Sequence, residues 1–240
     1  MDPKYGERYR RLFEEHWWWR ARTELIIETL HRLQLAGGRQ TILDIGCGDG
    51  LFFDRLAEFG EVEGVEPFAE LIRPENPHRA RIYVCPFDTS FLPGKQYSLV
   101  LMLDVLEHLA DPIAALRHAL GLLCPHGIFV ATVPAFKSLW TNHDVVNHHY
   151  TRYTKRSFRE MAAAAGLRLQ EERYLYYWTC PVKLGIRVME RALRRKPAPA
   201  EVPPPWINGA LFRLTRLEQK TLGKLPMPFG SSLMVIGGKV

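Results

Sequence analysis

The sequence predicts an α/β fold: a seven-stranded, mostly parallel sheet with helices on both faces and a helical insertion before the last strand. Three observations predict it. Short apolar runs recur at 41–45, 62–65, 81–85, 97–103, 128–133, 167–177 and 233–238, and the stretches between the earlier runs are long enough for helices. That alternation describes βαβ units, whose strands pair in parallel. Val100-Leu101-Met102-Leu103 is apolar at each position, as a strand covered on both faces requires. The first strand runs into Gly46-Cys47-Gly48-Asp49-Gly50, with glycine at every second position. Glycine permits tight turns and removes the Cβ that would block a ligand's approach.

The elements follow in order. Residues 8–35 open as a polar, aromatic segment and then place Leu25, Ile26, Thr29, Leu30 and Leu33 at helical spacing, with Gly37-Gly38 as the stop. Asp111-Pro112 reads as an N-cap followed by proline at the first helical position. That helix runs to about Leu123, and Pro125-His126-Gly127 turns the chain into the next strand. Thr154 caps another helix through Ala165 to Gly166. A minimal sheet has no need of the segment between the last two strands. It holds two amphipathic helices, one placing Val182, Ile186, Met189 and Leu193 on a face, the other Trp206, Ala210, Leu211, Leu214 and Leu217. Pro197, Pro199 and Pro203-Pro204-Pro205 form a stiff linker between them. The organisation expected is an N-terminal lid at 1–36, a core at 37–180, a helical insertion at 181–228 and the final strand at 229–240.

Bulk properties narrow the class. A chain of 240 residues with 47% hydrophobic content suits one α/β domain with an insertion. The net charge of +6 suits an acidic substrate or an anionic surface. Cys47, Cys85, Cys124 and Cys180 are scattered without a C-x-x-C pair, as in a reduced, cytoplasmic protein. The charged N-terminus lacks a signal-peptide core. No apolar run reaches the roughly 20 residues a bilayer span needs.

The glycine loop discriminates between cofactors. A dinucleotide fingerprint places a third glycine where this chain has Leu51. The spacing is instead G-x-G-x-G, with Asp44 two positions upstream, and a carboxylate there favours a cationic group over a pyrophosphate. The second strand ends at Glu66-Pro67, where an acid can accept both hydroxyls of a ribose. The third ends near Phe87 and Asp88, an apolar wall and an acceptor for an exocyclic amine. Together these strand ends describe a Rossmann-like pocket for adenine, ribose and a positively charged tail.

On these residues the chain resembles the class I S-adenosylmethionine-dependent methyltransferases. Leu43-Asp44-Ile45-Gly46-Cys47-Gly48-Asp49-Gly50 resembles their first motif, and Glu66 matches the ribose-binding acid. Leu101-Met102-Leu103-Asp104-Val105-Leu106-Glu107-His108 is similar to their fourth motif, in the subgroup that includes ubiquinone-biosynthesis O-methyltransferases. The resemblance implies S-adenosyl-L-methionine as cofactor. It implies contacts from Asp44, Gly46, Cys47, Gly48, Glu66, Pro67, Phe87 and Asp88, and a methionine ammonium held near Leu103 and Asp104. Related Asp, Glu and His residues in that subgroup have been associated with metal. At Asp104, Glu107 and His108, however, helix packing or cofactor contact is the commoner role, and no metal is expected.

Methyl transfer from a sulfonium needs alignment more than any one catalytic residue. An oxygen acceptor that carries a proton can still require a base. The loop that begins at Pro134 supplies candidates. His143 or His148 would be the base, with Asp144 orienting the imidazole. Arg152 would meet an anionic substrate, and Tyr153 packs. The run His16-Trp17-Trp18-Trp19-Arg20 cannot turn all its rings to one core, so it reads as a lid with Trp19 or Arg20 at the methionine end. The insertion is basic, with ten Lys or Arg against three Glu from Lys183 to Lys224. It is read as a solvated face, a substrate cap, a dimer contact or a surface for anionic membrane. Nucleic acid is not expected, because aromatics do not alternate with the basic residues.

The function expected is methyl transfer to a small molecule, acidic or lipid-like, at oxygen in preference to nitrogen or carbon, by a monomer or homodimer. The alternative is a non-catalytic cofactor-binding protein or partner subunit, which a plugged acceptor cavity would favour. Leu51 argues against a nicotinamide oxidoreductase.

Overall fold

A computed structural model describes residues 3–35, 39–193 and 199–239. The expected stop at Gly37-Gly38, the first domain boundary, and the segment from Arg194 to Pro197 lie outside the described residues.

Seven strands form one sheet: β1 (Gln40–Ile45), β2 (Gly60–Val65), β3 (Ile82–Tyr83), β4 (Tyr97–Leu103), β5 (Leu123–Pro134), β6 (Leu167–Leu175) and β7 (Ser232–Lys239). Their order is β3-β2-β1-β4-β5-β7-β6. The first five pair in parallel, and β7 runs antiparallel to both β5 and β6. The helices are α1 (Pro3–Glu15), α2 (Trp17–Arg32), α3 (Phe53–Leu56), α4 (Pro112–Gly121), α5 (Asn142–Val146), α6 (Lys155–Ala165), α7 (Thr179–Ala192) and α8 (Pro205–Lys220).

Two apolar layers sandwich the sheet. On one face Leu116, Phe158 and Met161 of α4 and α6 pack on Val100, Met102 and Phe129. On the other, Ile26 and Leu30 of α2 and Phe53 of α3 pack on Ile42, Leu101 and Met234. The caps read from sequence are present. Asp111 accepts the Ala114 N–H at 3.0 Å, Thr154 accepts that of Ser157 at 3.1 Å, and Gly166 closes α6 at φ +86°.

Three features depart from the sequence expectation. The crossovers from β2 to β3 and from β3 to β4 carry no α-helix, only short 3₁₀ turns in the first of them. Pro67, Pro74, Pro77, Pro86 and Pro93 interrupt these segments, and proline in a helix interior costs about 3 kcal/mol. The apolar face of α7 points outward, with Val182, Ile186, Met189 and Leu193 all exposed. Helix α8 is likewise turned around, burying Asn208, Thr215, Glu218 and Gln219 while exposing Trp206, Leu214 and Leu217.

The buried polar face of α8 has a reason. Asn208 accepts the Trp17 N–H at 2.8 Å and donates to the Glu15 carbonyl at 2.7 Å, which joins α1 to α2. Glu218 accepts the N–H groups of Tyr177 and Trp178 at 3.0 and 2.8 Å. Backbone groups at those chain bends would otherwise be left unpaired in the interior.

Candidate functional site

The site assembles at the carboxyl edge of the parallel strands. After β1, Gly46, Gly48 and Gly50 adopt φ of +74°, +56° and +66°. At Gly46 the need for glycine is twofold, because an added Cβ would lie 2.7 Å from Val105 Cγ2. Gly64 on β2 leaves the space that the Cys47 side chain fills. Cys47 is buried there, and burial pushes its thiol far up, so it forms a wall and is no nucleophile.

Glu66, 5% exposed, braces the loop. One of its oxygens accepts the Gly48 N–H at 3.0 Å and the other the Phe68 N–H at 3.1 Å. Each oxygen keeps a further lone pair, the number a ribose diol needs. Pro67 follows, exposed. Asp44 is buried beside the loop. Burial pushes its pKa up to about 7, with Arg22 opposing and Glu66 adding to the rise. Beyond β3, the Phe87 ring packs between Phe91 and His118, with centroids at 5.8 and 5.1 Å. Asp88 is exposed and accepts the Ser90 N–H and hydroxyl on Oδ1, which leaves Oδ2 unengaged by Ser90.

The N-terminal helices close over this edge. Tyr9 of α1 approaches Gly48, and Arg10 pairs with Asp49. Asp49 also accepts the Arg73 N–H at 3.0 Å. From α2, the Arg22 guanidinium donates to the Leu103 carbonyl at 2.8 Å, and its Nε lies 2.7 Å from Asp104 Oδ2. Burial works against the Arg22 charge, and Asp104 together with Tyr9, Tyr176 and Asp44 more than offsets it. Trp18 lies under the same lid, 5.8 Å from the Tyr176 ring. Trp19 packs edge-on against His16 and Trp18, each at 5.0 Å, and Arg20 sits over the Phe212 ring at 4.5 Å. The cation at the end of β4 is therefore Arg22, which the sequence reading did not single out. A signal existed: Trp18 and Arg22 are four apart and share a helix face.

On the acceptor side, Asp144 is fully buried. It accepts two bonds from Arg152, at 2.8 and 3.0 Å, and one each from His149 Nδ1 and the Thr141 N–H, both at 2.8 Å. Burial opposes its charge, but the His149 and Arg152 bonds win and hold its carboxyl far below the usual carboxylate range. The imidazole that Asp144 orients is thus that of His149. His143 is exposed and reaches Asn147 at 3.1 Å; His148 is exposed at φ +54°. Arg152, with 1% of its side chain exposed, is committed to Asp144 and the Ala135 carbonyl. Tyr153 packs in the core and donates to the Leu106 carbonyl at 3.1 Å.

His149 stands edge-on to His108, with ring centroids at 4.7 Å. Glu107, His108 and His149 offer ligand atoms within 4.8 Å of one another, a set that could hold a divalent ion. Glu107 Oε2 is buried without a hydrogen-bond partner, and burial together with Asp104 pushes its pKa well up. An open cavity of about 400 Å³ lies beyond, between this loop and α7, lined by Lys137, Trp140, Tyr150, Arg187 and Arg191 among others.

The sheet order and the glycine loop after its first strand are those of the Rossmann-like fold of S-adenosylmethionine-dependent methyltransferases. Residues 18–172 match the methyltransferase-domain family, and the chain belongs to it. A ubiquinone biosynthesis O-methyltransferase of Bradyrhizobium diazoefficiens is 32% identical over 106 residues, 42% of this chain and 42% of that protein. Another, from Xanthomonas euvesicatoria, is 29% identical over 182 residues, 65% of this chain and 74% of that protein. The chain thus spans well under half of the first relative and about three quarters of the second. The fold matches a Haloferax volcanii chain solved with the Trm112 methyltransferase activator, with a TM-score of 0.59 and 20% identity, covering 98% of this chain and 94% of that one. Among the described residues no helix is long and apolar enough to cross a membrane.

The residues present fit S-adenosyl-L-methionine. The loop glycines allow close approach, Glu66 retains lone pairs, and polar atoms of Arg22 and Asp104 are buried without a hydrogen bond.

Proposed function

We propose that this chain methylates a small molecule at oxygen, over the carboxyl ends of β4 and β5. The observation that carries the reading is the Asp144–His149 pair beside Glu107 and His108. The sulfonium supplies an activated methyl group, so the protein's tasks are alignment, exclusion of water and removal of one proton. Glu66 holds the ribose, Phe87 and Asp88 meet the adenine, and Asp44, Leu103, Asp104 and Arg22 meet the charged amino-acid end. With Asp144 accepting from Nδ1–H, His149 presents Nε2 as the base for an acceptor hydroxyl. The O-methyltransferase names of the relatives support the choice of oxygen.

Trp140 lines an open cavity and does not plug it, which weighs against a purely cofactor-binding role. The cavity's Lys137 and Arg191 suit an acidic acceptor. Calorimetry with S-adenosylhomocysteine is the direct test. The parent chain binds, and Glu66→Ala, which removes two charge-assisted bonds, weakens binding about a hundredfold or more. A parent chain that does not bind the ligand would sink the reading.

A further inference from the structure

A narrow void lies under α2, lined by Trp18, Arg22, Asp104, Thr132, Tyr176 and Ser232 among others. It sits where the ends of β4, β5, β6 and β7 converge. Four of its polar atoms are buried without a hydrogen-bond partner: Arg22 Nε, Asp104 Oδ2, Thr132 Oγ1 and the Tyr176 hydroxyl. The void has no room for a water, so none of the four is satisfied by solvent. A buried donor in that position forfeits the hydrogen bond that water would give it.

The backbone is strained at the same place. Asp104 and Tyr176 hold φ of +58° and +59°, a region that aspartate tolerates but that is unfavourable for a bulky residue such as tyrosine. Strain of this kind persists where surrounding structure enforces it, and it gathers at ligand sites. Tyr176 is 1% exposed, and its hydroxyl lies within the fields of Arg22 and Asp104.

The chemistry of the four atoms identifies their ligand. Arg22 Nε–H, Tyr176 O–H and Thr132 O–H are donors, and they suit a carboxylate. Asp104 Oδ2 and the Leu103 carbonyl are acceptors, and they suit an ammonium. Arg22 and Asp104 lie 2.7 Å apart with poor hydrogen-bond alignment. They form a charge pair that an α-amino-acid group matches in reverse.

We propose that the Tyr176 and Thr132 hydroxyls bind the α-carboxylate of the methyl donor, which inserts between Arg22 and Asp104 as α2 and Trp18 move outward. The assignment rests on the methyl-donor reading and adds two residues from β5 and the end of β6 that no motif marks. Tyr176 holds the donor and takes no part in the proton transfer assigned to His149.

Titration calorimetry on the full chain tests it with two ligands. S-adenosylhomocysteine carries the amino-acid end, and 5′-methylthioadenosine has the same nucleoside and sulfur without it. Tyr176→Phe weakens the first about ten- to a hundredfold and leaves the second within about twofold. Its melting temperature does not fall, because the substitution removes an unpaired buried hydroxyl. Thr132→Val repeats the test from β5, should Tyr176→Phe not fold. Unchanged affinity for S-adenosylhomocysteine, or equal weakening of both ligands, overturns the proposal while the donor reading stands. A parent chain that binds neither ligand overturns both.

Discussion

Replacing Asp144 by Asn keeps the shape of the side chain and removes its charge. The structure makes the consequence large. Asp144 is wholly enclosed, and Arg152 beside it has 1% of its side chain exposed. Two of the five bonds to the carboxylate come from that guanidinium, one from His149 and two from Thr141. Asn offers one acceptor oxygen where the carboxylate had two, and its amide N–H groups point at donors. Breaking one side of a buried ion pair costs about 3–5 kcal/mol, because the other charge stays buried alone. For a chain of this size that lowers the melting temperature by roughly 6–20 °C. Urea denaturation of parent and variant at neutral pH measures it. The pH dependence gives a second reading. The folded state holds the Asp144 carboxyl below its unfolded value, so its contribution is complete above about pH 4 and fades as pH falls further. The parent should therefore lose stability on acidification and the variant lose less. A variant within about 1 kcal/mol of the parent would show that Asp144 does not hold this loop together.

Two further outcomes are expected. Asp44, with its pKa pushed up to about 7 by burial, ionises more fully beside a cationic donor, so binding near neutral pH releases protons. Calorimetry in buffers of different ionisation enthalpy should show that release, with affinity rising from pH 6 to 8; heats independent of buffer would remove Asp44 from the site. With an acceptor in hand, His149→Gln should lower kcat by about a hundredfold to ten-thousandfold and leave S-adenosylhomocysteine affinity unchanged. A loss of ligand affinity equal to the loss of rate would make His149 a binding residue.

Much of the fold was legible because its signals are local. The all-apolar run at 100–103 marks a central strand by itself. Asp111 before Pro112, and Thr154 with Gly166, mark helix ends through bonds made within a few residues. The glycine loop and Glu66 were legible for the same reason. The helices missing between β2 and β4 were also legible in their prolines, which the spacing argument overlooked. The orientation of α7 and α8 was not. Amphipathic spacing says that a helix has two faces, and it does not say which one is buried. In α8 the need to pair backbone groups of Glu15, Trp17, Tyr177 and Trp178 turned the polar face inward.

By itself the sequence determined the sheet and the methyl donor, since each follows from residue types at short spacing. Tertiary structure alone decided that Arg22 and not Arg20 reaches the end of β4 and that Asp144 orients His149. It also decided that Tyr176, 72 residues beyond Asp104 in the chain, shares a buried void with it. The physical reason is common to all three. Each brings polar groups of separate segments together, two of them into bonds and the third into a shared void, and only the packed chain sets those groups side by side.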